Sequence, residues 1–439
     1  MPFWPRRELL RIGALSVLSG ASQVRRAVAA NSPVRSTERS CIFILLQGGA
    51  SHIDLWDPKP FMASDIRGPF LPIETRVPGI AFGELMTRSA QVAEKLCVIR
   101  SMRHKFTNHI AGTYVTLTGS NAQPDQDREA HSNDFPGPGA VLNQLRPSAG
   151  GVPRSVSLPN WLSIPGPSNR MPGQYGGFLG NSNDPFVLEG DPNAANYNPL
   201  TLTLPEGVTT NRLSERLTLT NQLDSAARLL ERERASQYDH IRAEAYAMMC
   251  DDRLRKALDL SQEPAAMRDR YGRTKIGQSL LLARRLVEAG VQYVAYNSFN
   301  QEWDTHGDLK NRYGQIVPPM DTAFGALVED LSERGLLDRT LVVNTGEFGR
   351  TPRVNAAGGR DHWPNVYTTV LAGGGIHGGM VYGTSDSKGA EVATDPVSPA
   401  DLLATLWQQL GIDSRHELRD RQNRPIPLTE GRVVTEILG

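Results

Sequence analysis

The sequence predicts an α/β protein built on a mostly parallel sheet with helices on both faces. Two observations carry this. Continuous apolar runs such as "CIFILLQGG" (41–49) end in glycine pairs, as buried parallel strands do where they run into loops. Amphipathic stretches precede the later apolar runs, and strands alternating with helices build a sheet covered on both sides.

Taken in order, "KLCVIRSM" (95–102) is a second strand. "HIAGTYVTLTGS" (109–120) has helical spacing and ends on Gly119, a C-cap candidate. Residues 164–210 are rich in Pro, Gly and Asn, which predicts a long surface excursion. Residues 211–262 read as helix throughout, with apolar positions near turn spacing (Leu213, Leu217, Leu223, Leu230, Ile241, Ala245, Met248). This is read as a helical insert on the core rather than a separate domain. "TKIGQSLLLARRLVEAG" (274–290) and "VPPMDTAFGALVEDLSERG" (317–335) are amphipathic helices leading into the strands "VQYVAYNSF" (291–299) and "TLVVNTG" (340–346). "NVYTTVLAGGG" (365–375) is another strand. The last helix, "SPADLLATLWQQLG", opens with Ser398 as N-cap, Pro399 in the first turn and Asp401 as an early acid.

The N-terminus has a different character. Arg6-Arg7 and Arg11 precede a modest apolar run from Ile12 to Ala21, and Ala27-Val28-Ala29-Ala30 follows. Charged, apolar and small-residue segments in that order predict an export leader over 1–30. Its pattern is similar to a twin-arginine signal, used for proteins exported already folded to the periplasm or beyond. The remaining chain, 31–439, is then one domain that starts near Asn31. No other stretch is long and apolar enough to span a bilayer, so no integral membrane segment is expected after the leader. The 47 basic and 47 acidic residues balance, which gives no argument for nucleic acid. Three cysteines are too few for a disulfide framework, and Cys41 and Cys97 lie in strand-like runs, as buried thiols do.

Chemistry-bearing residues collect beyond the strand ends, where open parallel sheets bind ligands. Ser51, His52, Asp54 and Asp57 follow the first strand; His104, Thr107, Asn108 and His109 follow the second. Asp304 and His306 follow the strand at 291–299. The stretch "NTGEFGRTPRVNAAGGRDHWPNVY" (344–367) adds Glu347, Arg350, Arg353, Arg360, Asp361 and His362 in a glycine-rich loop. Four strand ends offering histidines and carboxylates predict a metal site. Zn²⁺, Mn²⁺ or Fe suits mixed ligands, whereas Ca²⁺ or Mg²⁺ suits mostly oxygen donors. Asp304 and His306, two apart in extended chain, can point the same way and grip one ion. Arg350 and Arg353 either neutralise the carboxylates or hold an anionic substrate. His131, His240, His377 and His416 read as structural.

The strings "LLQGGASHIDLWDPKP", "NTGEFGRTPRV", "GGRDHWPNVYTTVLAGGG" and "PADLLATLWQQLGID" resemble those of the exported domain-of-unknown-function family 1501. Its members are often labelled sulfatase-like and belong to the alkaline-phosphatase-like superfamily. The resemblance runs over most of the chain after the leader. It implies an alkaline-phosphatase-like core and a metal-dependent hydrolase of an anionic ester, sulfate or phosphate, on a small molecule or glycan. The superfamily pattern places an Asp at the end of the first strand and a Ser, Thr or Cys nucleophile at a helix start. Later come Asp…His, Asp-His and His ligands. Here the first strand ends in Gln47-Gly48-Gly49. Asp304 and His306 resemble the Asp…His pair, Glu347-Phe348 stands at the Asp-His position, and His362 resembles the last ligand. Counting back from Leu117-Thr118-Gly119 lands on His109 rather than on a hydroxyl, with Thr107 and Thr113 nearby.

These readings give a one-metal site of Asp304, His306, Glu347 and His362. Arg350 is expected to stabilise substrate charge. His109 is expected at the helix start facing the same pocket as Glu347, as a ligand or as a base toward water. The missing Asp and missing hydroxyl support an alternative, a non-catalytic relative that binds a glycan or a partner protein.

Overall fold

The computed structural model describes residues 38–146, 151–163, 170–197, 251–298 and 300–439. The leader (1–30), residues 211–250 of the helical insert, part of the excursion, His240 and Cys250 lie outside the described residues.

Eight strands form the central sheet: β1 (Ser40–Leu45), β2 (Leu96–Met102), β3 (Ser155–Leu158), β4 (Phe186–Val187), β5 (Tyr293–Asn297), β6 (Thr340–Thr345), β7 (Tyr367–Ala372) and β8 (Met380–Tyr382). Their order is β8-β2-β7-β6-β1-β5-β3-β4. β1 is central and every residue of it is buried. It pairs in parallel with β5 and β6, Phe43 standing opposite Ala295 and Val343. β7 alone runs antiparallel, to β2 and to β6. Its amino end therefore lies beside the carboxyl ends of its neighbours, with Tyr367 opposite Met102 and Thr369 opposite Thr345. The chain just before β7 reaches the same edge as the loops after β1, β2, β5 and β6.

Alternation along β1 sorts its side chains between two cores. Ile42 and Ile44 join the side packed by helices α3 (Lys275–Ala289) and α4 (Leu309–Glu333). Cys41, Phe43 and Leu45 join the side packed by α1 (His109–Thr118), α2 (Pro138–Leu145) and α5 (Pro399–Gln409). This is the layered α/β architecture that the sequence predicts, with helices on both faces. Burial pushes the Cys97 thiol up to about 12 and Cys41 higher still, so neither is a reactive thiolate.

Several elements differ from expectation in their limits. α4 starts at Leu309, two turns before Val317, and carries Pro318 and Pro319 inside it. Each proline removes an N–H, freeing the carbonyls of Gly314 and Gln315. Both residues are exposed, so their carbonyls lie on the solvent side of the helix rather than in the core. The excursion is partly anchored: Met171 and Phe178 are buried, and Phe186–Val187 adds the edge strand β4 beside β3. The described end of the insert is helical over Asp252–Leu258, and Asp259 then caps a short 3₁₀ turn. Ser398 and Asp401 close a capping box at the start of α5. Among the described residues, no helix is long and apolar enough to cross a membrane.

Candidate metal centre

The site begins with the turn after β1. Gly48 and Gly49 have φ of +112° and +74°, a backbone that favours glycine, and a Cβ at Gly48 would collide with the Asp304 backbone. In this turn both N–H groups point at one carboxylate. Glu347 Oε1 accepts from Gly48 N at 2.8 Å, and Oε2 accepts from Gly48 N and Gly49 N at 3.0 Å. Glu347 is fully buried, and its Oε1 also accepts from His109 Nδ1 at 2.7 Å.

His109 is the first residue of α1, whose N-cap Asn108 accepts from Ile110 N and Ala111 N and whose C-cap is Gly119 in the left-handed region. Its Nε2 is buried without a hydrogen-bond partner and lies 3.3 Å from Asp304 Oδ2. His362 Nε2 lies 3.2 Å from Asp304 Oδ1. Ligand atoms of His109, Asp304 and His362 all lie within 4.8 Å of one another. His306 joins from the solvent side, its Nε2 3.1 Å from Asp304 Oδ1 and 3.0 Å from His362 Nε2. Phe348 packs its ring 5.0 Å from that of His109 and 4.6 Å from that of His362, an apolar wall behind both.

The outward-facing nitrogens fix what this cluster can bind. His109 Nδ1 meets Glu347, His306 Nδ1 meets Asp361 Oδ1 at 2.7 Å, and His362 Nδ1 meets the Thr107 carbonyl at 2.7 Å. Carboxylates and carbonyls only accept, so each Nδ1 must donate. A neutral ring then presents a bare lone pair at Nε2, and three of these face one another and the Asp304 carboxylate. Acceptors at 3.0–3.3 Å repel unless a proton or a cation stands among them. At His109 the two carboxylates on its ring favour a proton in the metal-free protein. Burial pulls the His109 imidazole down, but Asp304 and Glu347 outweigh it and raise it to about 9. Burial opposes the charge on Asp304 too, yet His109, His362 and Arg350 hold it far below the usual carboxylate range.

Arg350 is fully buried, and every nitrogen of its guanidinium is engaged. Nε donates to the Gly49 carbonyl at 2.8 Å and Nη1 to the Arg360 carbonyl at 3.0 Å. Nη2 serves the Gly48 carbonyl and, at 2.6 Å, Asp304 Oδ1. Where the sequence reading expects a guanidinium that stabilises substrate charge, its contacts fix Asp304 and the glycine turn. Glu347 also differs from its expected place among the ligands, because both its oxygens are taken by N–H groups. It stands behind His109 as an orienting carboxylate.

Other charged residues of these loops build the frame. Arg360 and Asp54 are buried and paired, Nε to Oδ2 at 2.7 Å and Nη2 to Oδ1 at 3.2 Å. Arg360 also donates to the Ile66 and Thr351 carbonyls. Asp57 pairs with Lys59 and Arg100, and Arg353 is exposed on Asp65. His104 contacts the Glu347 carbonyl through Nε2 and accepts from Phe106 N through Nδ1. Thus Asp304, His306, His362 and His109 come together with Glu347 and Arg350 behind them. Sequence reasoning left Asp361 undecided and gave no role to Asp125 or the Thr107 carbonyl. The adjacency of Asp361 to His362 was a signal, but its partner is His306.

Fold and site together define an α/β protein with a candidate metal centre at the carboxyl edge of its sheet. The chain belongs to the family described as "Protein of unknown function (DUF1501)", whose model matches residues 38–438. No curated protein matches the sequence. Among solved structures, it is similar to the PsFucS1 sulfatase from Pseudoalteromonas sp. at 13% identity and TM-score 0.38, covering 93% of this chain and 72% of that one. Ps i-CgsB in complex with k-i-k-neocarrahexaose is similar at 12% identity and TM-score 0.39, covering 86% and 73%. The C-terminal periplasmic domain of EcEptC from Escherichia coli, in complex with Zn, is similar at 8% identity and TM-score 0.37, covering 92% and 96%. Likeness at these scores carries no argument about activity.

Proposed function

We propose that the protein is an exported hydrolase of anionic esters, sulfate or phosphate, that works with one divalent metal ion held by His109, Asp304 and His362, with His306 beside them. The observation that carries this reading is the set of convergent lone pairs, each imidazole turned outward by an oxygen behind it. Nitrogen and carboxylate donors in that mixture suit Zn²⁺ or Mn²⁺. When bound, the ion supplies Lewis acidity toward the ester oxygens.

The chain's own residues prepare that site. Glu347, Asp361 and the Thr107 carbonyl set the three rings, and Arg350 fixes the Asp304 carboxylate. Asp304, Glu347 and Asp361 against Arg350 leave two net negative charges, which a divalent ion offsets, so the centre no longer repels an anionic substrate. Thr107 Oγ1 donates to Asp125 at 2.8 Å, and Thr113 is fully buried within α1. Thr107 Oγ1 is thus taken by Asp125, and the Thr113 hydroxyl, although it has no hydrogen-bond partner, is enclosed in the core, which supports water as the attacking group.

A non-catalytic relative that binds a glycan or partner protein is the second reading. The imidazole of His109 favours it, standing where the resemblance places a hydroxyl nucleophile. The test is a panel of sulfate and phosphate monoesters, assayed with the purified chain after chelation and after Zn²⁺ or Mn²⁺ is restored. Metal-dependent turnover that is lost in His109→Ala and Asp304→Asn supports the hydrolase. A protein that binds metal yet hydrolyses none of the panel supports the second reading.

A further inference from the structure

His109 and His306 have carboxylates directly behind them, Glu347 and Asp361. His362 instead donates Nδ1–H to the neutral carbonyl of Thr107. That carbonyl belongs to the peptide joining Thr107 to Asn108, and the N–H of the same peptide donates to Asp125 Oδ1 at 2.8 Å. Asp125 also accepts from Thr107 N at 3.0 and 3.1 Å and from Thr107 Oγ1 at 2.8 Å. One exposed carboxylate thus grips both residues around the peptide whose oxygen sets the His362 ring.

We propose that Asp125 is a positioning residue for His362, acting through the 107–108 peptide as Glu347 and Asp361 act directly on the other two histidines. Two effects follow from the geometry. Four hydrogen bonds fix the direction of the Thr107 carbonyl, and so the plane in which His362 stands. A carboxylate on the peptide N–H also polarises the carbonyl opposite, and linked hydrogen bonds strengthen one another. The Thr107 oxygen becomes a better acceptor and His362 Nε2 a better ligand. Asp127 offers a control. It accepts from Asn108 Nδ2 at 2.7 Å and so supports the start of α1, but it makes no contact with the peptide N–H.

The inference rests on the metal-site reading, and the experiment separates the two. Zn²⁺ affinity of the full chain is measured by competition with a chelating chromophore, for wild type, Asp125→Ala, Asp125→Asn and Asp127→Ala. The melting temperature of each metal-free protein is recorded alongside. Asp125→Ala is expected to weaken Zn²⁺ binding by about tenfold, the lower end for an outer-shell partner. Asp125→Asn, which keeps one acceptor, should fall between it and wild type. Asp127→Ala should bind as wild type, and every metal-free variant should melt cooperatively as a folded protein. A cycle with His362→Ala supplies the signature of a positioning role: in that background Asp125→Ala should cost nothing further. Unchanged affinity in Asp125→Ala, or an equal loss in both backgrounds, overturns the role of Asp125 and leaves the site reading intact. A wild-type protein that binds no Zn²⁺ overturns both.

Discussion

Glu347→Gln is an almost isosteric change with a specific expected outcome. The carboxylate accepts from Gly48 N, Gly49 N and His109 Nδ1, and an amide has one oxygen for these donors. If the amide oxygen takes the place of Oε1, the NH₂ faces Gly49 N–H and leaves it buried without a partner. That costs about 1–3 kcal/mol. If the oxygen takes the place of Oε2, both glycines keep an acceptor and the NH₂ faces His109 Nδ1 instead. The imidazole can then accept at Nδ1, which moves its proton to Nε2, the atom that faces Asp304. This second arrangement keeps an acceptor for both glycine N–H groups and leaves only one amide N–H, facing Gly48 N, without a partner, so it should prevail. The variant should fold, and its Zn²⁺ affinity should fall by about 10- to 100-fold, or about 1.4–2.8 kcal/mol. Chelator competition measures the affinity, and ¹⁵N-detected NMR of the imidazole reports the tautomer. Wild-type affinity with the proton still on Nδ1 would refute the reasoning.

Acid should destabilise the metal-free protein between about pH 6.5 and 4. Burial holds His52 and His104 down to about 4, against the opposing pull of Asp57 on His52 and of the Glu347 carbonyl on His104. The unfolded chain takes its protons first as pH falls, so stability is full above the ordinary value of 6.5 and levels off below 4. Each histidine contributes at most about 3 kcal/mol, and denaturant midpoints at pH 7, 5 and 4 should reveal the slope; a flat profile contradicts it. Arg360→Ala leaves the Asp54 carboxylate buried without its partner and should cost about 3–5 kcal/mol, whereas Asp54→Asn with Arg360→Met should cost less. Equal losses in denaturant melts would show that the pair is not what matters there. Replacing Arg6 and Arg7 by lysine should leave unprocessed protein inside the cell, and unchanged export with a start near Asn31 would contradict the twin-arginine reading.

The frame of the site was legible in the sequence because strand ends and helix starts leave local marks. Counting back from Leu117-Thr118-Gly119 found the first residue of α1. Asp304 and His306, expected to grip one ion together, lie 3.1 Å apart, Oδ1 to Nε2, with His306 outside the group formed by His109, Asp304 and His362. The roles of Glu347 and Arg350 were not legible. What each can bind depends on donors and carbonyls of the Gly48–Gly49 turn, which tertiary folding alone brings near. The route of His362 was hidden as well. It reaches the site because β7 runs antiparallel, and an isolated apolar run carries no sign of its direction in the sheet. Asp125 left no mark, since an exposed carboxylate in a polar loop looks the same whether or not it grips a peptide.

One divalent ion is proposed to bind among the imidazoles and the Asp304 carboxylate. A crystal of the Zn²⁺-loaded protein, with anomalous scattering recorded on both sides of the zinc edge, tests it most directly. One strong peak is expected, bound by His109 Nε2, His362 Nε2 and Asp304 at about 2.0–2.2 Å, with Glu347 still turned to the glycine N–H groups. No peak there, or a peak ligated by Glu347 with His109 turned away, would contradict it.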